Sequence, residues 1–163
     1  ATEVVLAVRN DRTTYQVGRR QSGNSNCRNA LLLLVYRNPT SHPIIFRIMI
    51  VEKPWGTYEV LLDVPDKGYK VKRIVVYPYQ RFSLQFHRKR TEHWSIVSGT
   101  GIITLNDKDY DVSVGSNWVI IPKAVHRATA TGIEDLVFIE TQIGDCDEDD
   151  IVRLEDDYGR VET

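Results

Sequence analysis

The feature that most constrains this chain is a train of short strand-like runs that begins near Met49 and continues almost to the C-terminus. The runs are Thr57–Leu62, Lys70–Tyr77, Phe82–His87, His93–Val97, Ile102–Leu105, Tyr110–Val114, Trp118–Ile121 and Leu136–Gln142. Pro65-Asp66-Lys67-Gly68, Gly99-Thr100-Gly101 and Asn106-Asp107-Lys108-Asp109 supply turns between them. No long stretch carries a helical period. Strands this short and this evenly spaced bury their apolar faces by wrapping into a sandwich or a small barrel. The expected class is therefore all-β, with the barrel spanning residues 51–143.

The chain before Met49 is different in kind. Residues 1–48 carry seven Arg against Glu3 and Asp11, a balance of +5, while residues 49–163 carry 14 basic and 20 acidic groups, a balance of −6. This break, together with the loss of regular pattern, divides the sequence into an Arg-rich extension, 1–48, and a working domain, 49–163. The total of 163 residues is the size of one ordinary domain, too small for a full nucleotide-binding domain beside a second catalytic one. A net charge of −1 offers no field for nucleic acid. The apolar run Ala30–Tyr36 is far short of a membrane span. Two cysteines in unrelated contexts, Cys27 and Cys146, argue against a disulfide framework and suit a reducing cytoplasm.

Chemistry concentrates in Phe82-Ser83-Leu84-Gln85-Phe86-His87. Alternation along a strand puts Phe82, Leu84 and Phe86 on one face, away from any cavity, and Gln85 and His87 together on the other. Glu92 opens the next strand, and a hairpin would return its carboxylate beside Gln85 and His87. His126 follows Trp118–Ile121 and the turn at Pro122. One amide, one carboxylate and two imidazoles make a divalent-metal site with open positions. A Gln-x-His pair alone is what any solvated strand can carry. The order Gln-x-His, Glu92, Gly99 and then a distant Pro-x-x-x-His is more specific, and it resembles the cupin double motif with Gln in place of the first His. That resemblance implies a double-stranded antiparallel β-helix, a jelly-roll barrel.

A longer series narrows the resemblance. Lys53-Pro54-Trp55-Gly56-Thr57-Tyr58-Glu59 is followed by Lys70-Val71-Lys72-Arg73-Ile74-Val75-Val76, the Gln85–His87 strand and Arg90-Thr91-Glu92-His93-Trp94. Val97-Ser98-Gly99-Thr100, Ile121-Pro122 with His126-Arg127, Ile139-Glu140-Thr141-Gln142, Glu148-Asp149-Asp150-Ile151-Val152-Arg153 and Asp157-Tyr158-Gly159-Arg160 complete it. The series is similar to the type II mannose-6-phosphate isomerase domain, which often forms the C-terminal part of a bifunctional mannose-1-phosphate guanylyltransferase/isomerase. The resemblance implies a metal-dependent aldose–ketose isomerase feeding GDP-mannose and polysaccharide synthesis. It implies one divalent ion (zinc first, then cobalt, manganese or nickel) on Gln85, His87, Glu92 and His126. Arg90, which matches the arginine of the family's Arg-x-Glu-His-Trp motif, takes the catalytic cationic role, and Lys72 and Arg127 bind substrate. The partner is a small sugar phosphate, with neither nucleic acid nor membrane, and there is room for a homodimer. Alternatives are an isomerase acting on glucose 6-phosphate, a non-catalytic sugar-phosphate-binding cupin module, and a fragment of the bifunctional guanylyltransferase.

Three departures from the family pattern stand out. Tyr79 occupies a usual glycine, Pro122-Lys123-Ala124-Val125-His126 is one residue short and lacks the loop glycine, and the stretch at Gly144–Asp147 is shorter. The acidic run Asp145–Asp150 lacks the spacing of a calcium loop and reads as a solvated turn leading into a terminal helix or strap.

Overall fold

The computed structural model describes residues 9–10, 13–19, 28–36 and 44–161. The chain divides into two compact units, Ala1–Lys53 and Pro54–Thr163. In the first, β1 (Arg9–Asn10), β2 (Thr13–Arg19), β3 (Arg28–Tyr36) and β4 (Ile44–Lys53) run as an antiparallel meander. Regular strand pairing thus exists upstream of Met49, where the sequence shows little pattern. β3 explains it: the run at Ala30–Tyr36 is continuously apolar rather than alternating, and such a run does not announce its period.

The second unit is the expected barrel, with one strand more than expected beyond residue 143. One sheet orders β5 (Gly56–Val64), β6 (Tyr69–Val76), β13 (Leu136–Gly144), β8 (Arg90–Ser98) and β11 (Asn117–Ile120). The other orders β10 (Lys108–Val112), β9 (Gly101–Leu105), β12 (His126–Ala130), β7 (Leu84–His87) and β14 (Ile151–Glu155). The strand pairings within this unit are antiparallel. Between the sheets lies a core of Trp55, Ile74, Phe82, Trp94, Ile96, Ile103, Ile120, Leu136 and Phe138 with smaller residues around it. Among the described residues, no helix is long and apolar enough to cross a membrane.

Period-two alternation decides what faces inward. In β8 the buried positions are Arg90, Glu92, Trp94 and Ile96, while His93, Ser95 and Val97 are exposed. Cross-strand register then stacks like with like. Phe138 sits between Ile74 and Ile96, Glu140 between Lys72 and Trp94, and Gln142 between Lys70 and Glu92. The inner face is apolar at one end and ionic at the other, which places the polar residues at one end of the barrel.

One expectation needs correction. Phe82 does not share a face with Leu84 and Phe86. The chain at Phe82 and Ser83 is not strand, so alternation starts only at Leu84. Phe82 instead turns into the core, with ring centroids 5.5 Å from Trp55 and 5.8 Å from Trp94. Of the two alternatives for the stretch after Asp145, the strap is the one that forms: a single 3-10 turn, Glu148–Asp150, leads into β14. Tyr79, at the usual glycine, takes a φ of 61°, a left-handed conformation that glycine adopts without cost, and the residue is two-thirds exposed.

Candidate metal and sugar-phosphate site

The ionic end of the barrel gathers His87, Glu92 and His126, whose donor atoms all lie within 4.8 Å of one another. They come from both sheets. β7 brings His87 and β12 brings His126, while Glu92 reaches across from β8. The expected hairpin between the Gln85–His87 strand and Glu92 does not form, because the chain crosses from one sheet to the other at Arg88 and Lys89. Glu92 meets the imidazoles across the interior rather than along a ladder.

Each ligand candidate is held by an identifiable contact. Lys123 donates its backbone N–H to the His87 carbonyl at 2.6 Å, tying the short loop to β7. Lys123 itself adopts a φ of 69°, the conformation a glycine would take at no cost. The loop therefore delivers His126 to the cluster despite its missing residue. His126 Nδ1 lies 2.9 Å from the Ala124 carbonyl. An Nδ1–H donor there leaves Nε2 as a bare lone pair, and Nε2 is buried with no hydrogen-bond partner. His126 Nε2 is 3.6 Å and His87 Nε2 is 3.2 Å from the Glu92 carboxylate. Burial pushes both imidazoles down, His126 to about 4 and His87 to about 2, the latter helped by the charges of Arg90, His126 and Lys72. Neutral imidazoles with a carboxylate between them are a donor set that fits a divalent cation. Gln85 stands directly opposite His126 in the β7–β12 register and so shares its face. Its amide oxygen accepts from Ser83 Oγ at 2.7 Å.

Arg90 is not a surface residue of a turn. It is 4% exposed and sits among the cluster. Its Nε donates to Glu92 Oε1 at 2.9 Å, Nη2 lies 3.1 Å from His87 Nε2, and Nη1 donates to the Asp147 carbonyl at 2.8 Å. Burial works against its charge, but Glu92 and Glu140 outweigh burial and hold the guanidinium above its ordinary value. Lys72 is likewise buried, 4.0 Å from Glu140 and 4.9 Å over the Tyr58 ring. Arg127 is not brought to this cluster. It neighbours His126 along β12 and so projects to the opposite face, where it donates to the Phe82 carbonyl and to Glu155.

Glu140 and Gln142 complete the site, and the sequence reading gave neither a role. Both are buried. Gln142 Nε2 donates to Glu140 Oε1 at 2.7 Å, and Trp94 Nε1 reaches Glu92 at 3.2 Å and Glu140 at 3.1 Å. The signal was present: these two polar residues continue the inward alternation of Leu136 and Phe138. Burial first, then the Glu92 charge, pushes the Glu140 carboxyl up to about 7.

These shifts set a pH dependence. The two imidazoles titrate lower in the folded protein than their ordinary 6.5, so their contribution is present above pH 6.5 and lost as pH falls below it. Glu140 acts oppositely, holding a proton in the folded state between its ordinary 4.5 and about 7. Near pH 5.5 the unfolded chain therefore binds about one proton more than the folded one. Metal-free protein should lose on the order of 1 kcal/mol of stability per pH unit of acidification there. Thermal melts from pH 7 to 5 check this, and Glu140→Gln should steepen the loss.

The chain matches the family described as mannose-6-phosphate isomerase C-terminal over residues 44–156. It is 44% identical over 114 residues to the alginate biosynthesis protein AlgA of Pseudomonas aeruginosa, covering 68% of this chain and 23% of that protein. It is 39% identical over 111 residues to a mannose-1-phosphate guanylyltransferase of Escherichia coli, again covering 68% and 23%. The chain thus spans about a quarter of the length of these relatives. Among solved structures, the capsular polysaccharide assembling protein CapF of Staphylococcus aureus superposes with a TM-score of 0.59 at 24% identity, over 66% of this chain and 34% of that one. That likeness supports the fold alone. With the family match covering most of the chain, the cupin-type barrel and its ionic end belong to a member of the mannose-6-phosphate isomerase C-terminal family.

Proposed function

We propose that this chain is a metal-dependent aldose–ketose isomerase that interconverts mannose 6-phosphate and fructose 6-phosphate. The observation that carries the reading is the buried His87–Glu92–His126 cluster with Arg90 in contact with two of its members. His87, Glu92 and His126 would hold a divalent ion, with Gln85 as the fourth ligand. When bound, such an ion polarises the sugar's C1 and C2 oxygens and stabilises enediolate charge. The protein's own part is to orient the sugar, exclude water and supply fixed positive charge. Arg90 stands where a planar fork can neutralise oxyanion charge, and Lys72 offers an ammonium for the phosphate. Arg127 is left out of the site, since its guanidinium is committed to Phe82 and Glu155. The relatives' names concern alginate biosynthesis and mannose-1-phosphate guanylyl transfer. We take the product to serve the same GDP-mannose and polysaccharide chemistry.

One observation favours a second reading. The Arg90 guanidinium already engages His87 Nε2 and Glu92 Oε1, which suits a non-catalytic module that binds sugar phosphate without metal. A coupled assay on mannose 6-phosphate decides between them, using protein stripped with EDTA and reloaded with zinc, cobalt, manganese or nickel. Turnover restored by one of these ions supports the isomerase. Absence of turnover with all four, in protein that still binds the sugar phosphate, supports the module.

Residues 49–163 are proposed as the working unit. The family match starts at residue 44 and the compact unit at Pro54, and the two bracket Met49. A chain starting at Met49 should melt cooperatively and retain turnover. Loss of the cooperative transition would assign residues 1–48 to the core.

A further inference from the structure

Lys72 is paired twice, and its two partners differ. The Glu140 side chain is sealed inside the barrel at 9% exposure, whereas the Glu148 side chain, hydrogen-bonded to Lys72 Nζ, is 49% exposed. Glu148 belongs to the strap that leads into β14. Contacts on both sides of it pin that strap. Arg90 donates to the Asp147 carbonyl at 2.8 Å, and Asp150 Oδ2 accepts the backbone N–H groups of Arg88 and Lys89 at 2.8 and 2.9 Å. The segment is fixed, while the Glu148 carboxylate is held only through its side chain. Burial would raise the Glu148 carboxyl, but the Lys72 ammonium outweighs burial and keeps it below its ordinary value, and therefore charged.

We propose that Glu148 is an exchangeable counter-ion for Lys72, which holds the anion position until the phosphate of a phosphorylated substrate displaces it. The inference rests on the assignment of Lys72 to phosphate. Charge supports the exchange. Glu148 already occupies the ammonium, so a phosphate dianion arriving with Glu148 in place would set its two charges directly beside that carboxylate. With Glu148 withdrawn, the dianion inherits the ammonium. A half-exposed carboxylate pairs weakly enough to be displaced by a doubly charged competitor. A neutral sugar has nothing to offer Lys72 in exchange. Glu148 thereby makes the site selective for the phosphorylated sugar.

The test uses the full chain stripped of metal with EDTA, and inorganic phosphate as the probe, titrated by calorimetry at low salt. Glu148→Gln should bind phosphate roughly fivefold more tightly than wild type, the scale set by removing a partly exposed ion pair. Asp149→Asn removes the same formal charge from the same turn and should leave the affinity unchanged. Lys72→Met should abolish the gain when combined with Glu148→Gln. The proposal is overturned if Glu148→Gln binds phosphate no better than wild type, or if Asp149→Asn gains as much. It is also overturned if the gain survives Lys72→Met. Should Lys72→Met fail to fold, the comparison of Glu148→Gln with Asp149→Asn still decides. Phosphate binding is read without turnover. An inactive protein that shows the gain would sink the isomerase reading and leave the exchange standing; an active protein without the gain would sink the exchange alone.

Discussion

Glu92→Ala should cost the protein both its metal and a large part of its stability. The Glu92 carboxylate is 1% exposed and accepts from Arg90, Trp94 and Gln142 at 2.9, 3.2 and 3.4 Å. Removing it strands the Arg90 guanidinium in the interior, a loss of about 3–5 kcal/mol for one partner of a buried pair. It also removes the anion from a donor set of two neutral imidazoles. Glu92→Gln separates the two effects. An amide keeps volume and acceptor oxygen, so most of the fold survives while metal affinity falls. Thermal melts and elemental analysis of the purified variants give the answer. An alanine variant that melts and loads metal like wild type would remove Glu92 from the centre of the site.

Arg90→Ala should behave in the opposite way toward metal. Its Nε and Nη2 occupy Glu92 Oε1 and His87 Nε2, so its loss releases donor atoms and removes a like charge from beside the ion. Metal should be retained against a chelator at least as well as in wild type. Turnover of mannose 6-phosphate should fall by on the order of 100-fold, the scale for losing one charge-stabilising donor. Arg90→Lys should not restore it, because an ammonium cannot reach Glu92, His87 and the Asp147 carbonyl in one planar fork. Turnover at the wild-type rate in Arg90→Ala refutes the catalytic role.

Much of the barrel was legible because alternation is a local rule. Glu92 inward and His93 outward follow from one strand and need no partner. What the sequence concealed is non-local. The meeting of His87 with Glu92 across two sheets reads, in one dimension, as a hairpin. β12 and β14 carry a weak strand signal because His-Arg-Ala-Thr-Ala and Ile-Val-Arg-Leu-Glu hold basic residues inside short runs. Arg127 stands beside His126 in the sequence, yet adjacency along a strand means opposite faces. Phe82 misled because an apparent strand began two residues later than its composition suggested. Glu140 and Gln142 were visible as polar steps on an apolar face, a pattern that a strand facing only a core would not carry.

The pinned strap also bears on how fast the site can work. Enzymes that close a lid over substrate move whole loops on microsecond-to-millisecond timescales, and lid opening often limits turnover. Here Asp147 and Asp150 anchor the backbone on either side of Glu148. The proposed admission of a phosphate at Lys72 calls for rotation of one half-exposed side chain, and exposed side chains rotate in picoseconds to nanoseconds. Under the proposed exchange, entry of an anionic group at Lys72 is therefore decoupled from any slow rearrangement of the strap.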